Sequence, residues 1–326
     1  MLNTDGVERI LARLPAARVG LVGDLFLDRY LDIDPALDEP SVETGLTAYQ
    51  VVGVRNFPGA LGTVMNNLSS LGVGHIVPLT IIGDDGEGYE LRQALSRVRG
   101  VDPSFVIVSG ERRTPTYTKP MVAGRELNRI DLKNRTPTPS HLEDAVLARL
   151  PALIASVDAL VVLDQVSEAN CGVVTTRIRT AICAAAASRP GYFVLADSRT
   201  RIGEFRYVTV KPNEAECGFD PLGLARRVGG LVFCTRGERG IEFAQPGGMV
   251  ASVPGYPVSG PIDVCGAGDS CTAGLVAAHL AGCHAHEAAE FANLVASITV
   301  SQLGTTGTAT PAQVRARWAE VSAAAG

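Results

Sequence analysis

The sequence predicts a doubly wound α/β domain, a mostly parallel sheet flanked by helices on both faces with a small β lid added. Three observations predict it. Short runs rich in β-branched and apolar residues alternate with Ala- and Leu-rich helical stretches along nearly the whole chain. Several of these runs end in a polar residue followed by a turn. Two long stretches, 30–57 and 113–131, interrupt the alternation.

In chain order the candidate strands are 18–23, 76–82, 105–109, 159–164, 192–197, 207–210 and 231–235. Ligands of open α/β sheets bind outside the carboxyl ends of the strands, so Asp24, Asp164, Asp197, Lys211 and Thr235 are expected to gather along one rim. Stretch 30–57 carries few helix signals, and 113–131 reads as two extended runs around Gly124. Both are long for plain connections, and together they are expected to form one lid at the active-site end. Helical runs start at His141 and cover 271–281 and 287–301. Pro137 and Pro139 mark a local loop, and neither a low-complexity linker nor a solenoid-period repeat divides the chain. Residues 1–326 therefore read as one domain.

Of the 326 residues, 46% are hydrophobic and 19% charged, enough to bury a substantial core. The net charge of −5 excludes a basic face for nucleic acid or anionic membrane, which leaves a small diffusible molecule as the expected partner. Residues 1–20 lack the uninterrupted apolar region of a signal peptide, no later segment reaches the length of a membrane span, and the expected location is cytoplasmic. The seven cysteines are odd in number, scattered and without a C-x-x-C pair, so they read as reduced thiols. Cys271, His279, Cys283, His284 and His286 lie close in sequence, but their spacing matches no structural zinc site.

The run Asp263-Val264-Cys265-Gly266-Ala267-Gly268-Asp269-Ser270 precedes a small-residue helical stretch. Glycines just before a helix let backbone N–H groups approach an anion, and the helix N-terminus adds partial positive charge. This is the pattern of a phosphate cradle. An aspartate at that entrance is either a helix cap or a base for a hydroxyl attacking a phosphoryl group, and the run alone leaves both open. None of the three lysines, Lys119, Lys133 and Lys211, follows a glycine, which excludes a Walker A loop; no G-x-G-x-x-G follows a strand either.

The run Asp263 to Asp269 resembles the D-x-x-G-A-G-D signature of the ribokinase-like PfkB carbohydrate kinases. The resemblance implies Asp269 as catalytic base and the Gly266, Ala267 and Gly268 amides as an anion hole. Lys211-Pro212-Asn213-Glu214-Ala215-Glu216 resembles the family's N-x-x-E element, implying Asn213 and Glu216 at the ATP phosphates, with Glu216 holding magnesium through water and Lys211 on the ATP rim. Thr235-Arg236-Gly237 resembles its T-x-G turn, implying Thr235 and Gly237 beside the nucleotide, and Asn293 matches a position beside the adenine. Gly23 to Asp28 resembles the motif whose last aspartate holds sugar hydroxyls, which makes Asp28 a substrate residue. The sugar-contacting signature, roughly G-G-x-x-x-N, reads here Gly59-Ala60-Leu61-Gly62-Thr63; Ala60 replaces its second glycine and Thr63 its asparagine, and the resemblance implies Gly59 and Thr63 at the substrate.

Gly23 to Tyr30, Arg129-Ile130-Asp131, Leu195 to Arg199 and the cradle are most similar to the kinase half of bacterial D-glycero-D-manno-heptose 7-phosphate kinases. The resemblance implies transfer of the γ-phosphoryl group of ATP to a sugar or sugar-phosphate hydroxyl. Its implied cofactors are ATP and Mg2+, with a monovalent cation as a further candidate, and its implied assembly is a homodimer through the lid. The lid arginines Arg112, Arg113, Arg125 and Arg129 are candidates for clamping an acceptor phosphate or for plain surface. The alternative is a catalytically silent sugar- or nucleotide-binding protein that keeps the fold.

Overall fold

The structure, a computed structural model, describes residues 1–304 and 306–325. Its centre is a nine-stranded sheet in the spatial order Val250–Val253, Ile241–Ala244, Val232–Thr235, Thr209–Val210, Phe193–Ser198, Ala159–Asp164, Arg18–Gly23, His75–Gly83, Val106–Ser109. Seven of these match the expected strands, and all seven pair in parallel. The other two form an antiparallel hairpin on one edge, Phe233 opposite Phe243 and Phe243 opposite Ala251, which the sequence reading did not include.

Alternation along the central strands builds two cores. Ala159, Val161 and Leu163 join the layer formed with the helices Leu61–Leu71, Ala267–Leu280 and Ala285–Thr299. Leu160 and Val162, pointing the other way, join the layer formed with Ser140–Ser156, Thr176–Ser188 and Pro221–Val228. Burial on both faces is why these strands read as unbroken apolar runs. The cradle helix packs so closely on Ala285–Thr299 that a Cβ on Gly274 would come within 2.8 Å of Ala292 Cα, which explains its small residues.

The lid is a second sheet in the order Ile130–Leu132, Thr116–Val122, Leu25–Ile33, Val51–Ala60, with Arg125–Glu126 also paired to Thr116–Val122. Its first piece therefore starts at Leu25 and ends at Ala60, outside the expected 30–57, and its second runs from Thr116 to Leu132, not from 113 to 131. The boundary shifts because the chain leaves the central sheet at Asp24, whose N–H donates to Leu163 O at 3.1 Å, and pairs at once with lid strands through Leu27 and Thr116. The apolar run Leu25-Phe26-Leu27 resembles core strand and hides that exit.

Candidate active site

The cradle is fastened before it reaches its helix. Asp263 Oδ1 accepts from Cys265 N at 2.9 Å and Oδ2 from Gly304 N at 3.0 Å, while Asp263 N donates to Val300 O at 2.8 Å. Gly266 then turns with φ 78°, the left-handed region that favours glycine, and caps the helix Ala267–Leu280. Space is short there as well, since a Cβ on Gly266 would lie 3.4 Å from Thr63 Cγ2. Ala267 N donates to Val264 O at 3.1 Å, so this amide of the expected anion hole is occupied within the loop. Gly268 and Asp269 sit in the first helical turn, where N–H groups have no intrahelical acceptor and the helix end is partially positive.

Lys211, just beyond the strand Thr209–Val210, reaches the same place. Its Nζ lies 2.8 Å from Asp197 Oδ2 with both side chains buried, and a Cβ on Gly268 would meet that Nζ at 3.6 Å. Burial pulls the ammonium down, but the Asp197 carboxylate outweighs it and holds Lys211 protonated above its ordinary range. Asp269 moves the opposite way from a normal carboxylate. Burial, with Asp197 adding repulsion, pushes it up to about 7 against the pull of Lys211 and Arg199; Asp28 adds a smaller upward push.

The N-x-x-E element closes on itself: Glu216 N donates to Asn213 Oδ1 at 2.9 Å and Asn213 N to Glu216 Oε2 at 2.8 Å. This reciprocal pairing is the local capping role both residues could have had, and it leaves Glu216 Oε1 turned toward Arg199 Nη1 at 4.0 Å. Burial raises the Glu216 carboxyl and Asp197 adds to it, opposed by the Asn213 hydrogen bond, Lys211 and Arg199. Thr235 N donates to Pro212 O at 2.9 Å, which joins the T-x-G turn to this element. Gly237 has φ 59°, and Gly240 has φ 86° with no room for a Cβ, 2.2 Å from Val253 O.

From the lid, Asp28 faces the cradle. Its Oδ1 is 3.5 Å from Lys119 Nζ, which also donates to Tyr30 Oη at 3.1 Å. Burial raises Asp28, while Lys119 and then Arg129 hold it down. Gly59 makes this possible, because a Cβ there would come within 2.3 Å of Asp28 Oδ2. Ala60 has φ 52°, which accounts for a glycine at that place in the family's signature and leaves the alanine strained. Thr63 is buried, and its carbonyl accepts from Asn67 Nδ2 at 3.0 Å.

The structure thus gathers Asp269, Gly266, Ala267, Gly268, Lys211, Asn213 and Glu216 at one end of the sheet, with Thr63 against the cradle and Asp28 and Gly59 on the lid. Asn293 stands apart: its Nδ2 donates to Val253 O and Pro254 O, both at 3.1 Å, so it braces the segment after the edge hairpin. Three of the four arginines weighed as phosphate clamps or plain surface, Arg112, Arg113 and Arg129, have structural partners. Buried Arg112 donates to Thr136 O at 2.9 Å, Arg113 lies 3.2 Å from Glu87, and Arg129 lies 2.6 Å from Asp131. Desolvation raises the Cys265 thiol against the pull of Lys119, and nearby carboxylates add to the rise. Sequence reasoning missed Lys119 as a site residue. The signal was there in the extended run 116–122, where Tyr117 and Lys119 share one face two residues apart.

Residues 31–313 match the family described as pfkB family carbohydrate kinase. The chain is 30% identical over 331 residues to the bifunctional protein HldE of Pelobacter propionicus, covering 96% of this chain and 65% of that relative, so it spans less than two thirds of the relative's length. Among solved structures it resembles Arabidopsis thaliana ribokinase complexed with ribose and ATP, with a TM-score of 0.65, 17% identity, and coverage of 93% of this chain and 98% of that one. It also resembles a PfkB protein from Polaromonas sp. JS666, with a TM-score of 0.64, 20% identity, and coverage of 92% and 99%. The fold is ribokinase-like, and the family match spans the cradle and all of the lid beyond Tyr30: the chain belongs to the pfkB family of carbohydrate kinases.

Proposed function

We propose that the protein is an ATP-dependent sugar kinase in which Asp269 takes the proton of an acceptor hydroxyl as that oxygen attacks the γ-phosphorus of ATP. One observation carries this reading: Asp269 stands in the first turn of the helix Ala267–Leu280, next to Gly268, whose Cβ position lies 3.6 Å from the Lys211 ammonium, and desolvation pushes its carboxyl up to about 7. A base with that ionisation is matched to neutral pH. The Gly268 and Asp269 amides and the helix end would bind oxygens of the transferring group, and Lys211 would hold charge beside them. Gly266 shapes the entrance, and the Ala267 amide would join the hole only by leaving Val264 O.

ATP would lie along the rim from Lys211 to Gly240, with Asn213, Glu216, Thr235 and Gly237 beside it and Asn293 shaping the segment behind. Glu216 with neighbouring Asp197 and Asp269 is an acidic, all-oxygen set that suits a hard divalent ion kept largely hydrated; among the described residues no cage of three or more metal-binding side chains forms. Magnesium bound there would neutralise phosphate charge during transfer. The acceptor would sit between Asp28 and Asp269, against Gly59 and Thr63. A heptose phosphate is the first acceptor to test, on the motif resemblance to heptose 7-phosphate kinases.

The same reading makes the protein a cytoplasmic homodimer. No described helix is long and apolar enough to cross a membrane. Supporting a dimer through the lid, Val51–Ala60 ends the lid sheet as an edge strand and exposes Val52 and Val54.

The test is magnesium-dependent ADP release from ATP against hexoses, heptoses and their phosphates, in potassium and in sodium, with Asp269→Asn alongside. Turnover with one acceptor should fall by about 10²- to 10⁴-fold in the variant. Unchanged turnover in Asp269→Asn would remove the base assignment, and ATP binding without turnover on any acceptor would establish the silent binding protein instead.

A further inference from the structure

Arg199 lowers the Asp269 carboxyl, but the mechanism above gives it no contact with ATP or the acceptor. It follows the strand Phe193–Ser198 at its carboxyl end, where its N–H donates to Asp164 O at 3.1 Å. Its Nε donates to Gln165 Oε1 at 2.8 Å, which fixes the plane of the guanidinium. The far end of the fork points to the N-x-x-E turn, with Nη1 4.0 Å from Glu216 Oε1. Among the described residues neither Nη1 nor Nη2 makes a hydrogen bond, and the side chain is 59% exposed. On its other flank the guanidinium is near enough to Asp269 to lower that carboxyl.

A pair this long and this exposed contributes little stability. Its placement matters more for chemistry. The other cation that acts on Asp269, Lys211, is buried and held by Asp197 at 2.8 Å, so it offers a point charge with one face already engaged. Arg199 presents a planar, exposed fork 4.0 Å from the candidate magnesium residue and close enough to the candidate base to lower its carboxyl, a shape that matches phosphoryl oxygens.

We propose that Arg199 grips the γ-phosphoryl oxygens of ATP through Nη1 and Nη2 and offsets the charge that develops on them during transfer. This rests on the kinase reading. In the step, the acceptor oxygen forms a bond to the γ-phosphorus as the bond from that phosphorus to the β,γ-bridging oxygen breaks. The bond's electron pair leaves with ADP, and the acceptor's proton passes to Asp269. Arg199 forms no covalent bond and moves no proton.

The test measures binding of MgADP and of the magnesium complex of the β,γ-imido analogue of ATP to the full chain, for the native protein, Arg199→Gln and Arg199→Lys, by calorimetry. Arg199→Gln should weaken the imido analogue about tenfold or more while MgADP stays within about twofold, as expected for one lost charge-assisted contact to a phosphoryl group that ADP lacks. Arg199→Lys, which keeps the charge and loses the fork, should fall between. Equal loss for both nucleotides would mean that Arg199 only shapes the rim, no loss for either would mean a surface ion pair, and each overturns the proposal. If the native chain binds neither nucleotide, the kinase reading fails and this inference falls with it; if it binds both, a failed Arg199 test leaves that reading standing.

Discussion

Turnover should rise about tenfold between pH 6 and pH 8, following the ionisation of Asp269. Its carboxyl is pushed up to about 7, chiefly by burial and then by Asp197, and only the ionised form accepts a proton. With that midpoint about one-tenth of the protein carries the base form at pH 6 and about nine-tenths at pH 8. Activity is thus present above the midpoint and lost as pH falls through it. A carboxyl at the ordinary 3.8 would be ionised throughout this interval and give a flat profile. The assay is kcat/KM for the acceptor found in the panel, with both substrates limiting. Ionisation of the ATP γ-phosphate falls in the same interval, so comparison between variants decides the matter. Lys211→Met removes a charge that lowers Asp269 and leaves Asp197 uncompensated, so the midpoint should rise. Asp197→Asn removes the strongest charge that raises it, so the midpoint should fall. A flat native profile, or shifts of the same sign in the two variants, would refute the reasoning.

Two further outcomes are expected. Ala60→Gly should stabilise the fold by about 1 kcal/mol in chemical denaturation, since the residue is held at φ 52° and the relief exceeds the extra freedom glycine has when unfolded; no gain would mean that the strain is absorbed elsewhere. Val54→Lys, on the exposed edge strand of the lid, should weaken dimerisation at least about tenfold in sedimentation equilibrium, and an unaffected dimer would place the interface elsewhere.

The central parallel strands were legible because they are buried on both faces and so carry continuous apolar runs, with a turn at the end; the edge strand Val106–Ser109, which exposes Val108, kept enough β-branched residues to be read as well. Sequence-local chemistry made the cradle equally plain: Gly266 must adopt φ 78°, and the residues after it open a helix. The N-x-x-E element also stood out in the sequence, and the reciprocal hydrogen bonds of Asn213 and Glu216 satisfy a purely local need there. The lid was placed but misbounded. Leu25-Phe26-Leu27 is as apolar as a core strand, and only pairing with Thr116–Val122 and Val51–Ala60 shows that it has left the main sheet. The edge hairpin Ile241–Ala244 and Val250–Val253 was passed over for a similar reason, because two four-residue strands carry too little period-two pattern to stand out.

By itself, then, the sequence determined the layered fold, the rim of strand ends and the glycine cradle, all of which depend on residues near one another in the chain. Only the tertiary structure decided which charges face one another. Lys119 reaches Asp28 across two lid strands, Lys211 reaches Asp197 across two parallel strands, and Arg199 comes within 4.0 Å of Glu216 from a third element and lowers Asp269. A carboxylate's ionisation depends on burial and on charges within a few ångströms, whatever their distance along the chain. The push on Asp269 to about 7 is therefore a property of the folded assembly that no run of its own neighbours could encode.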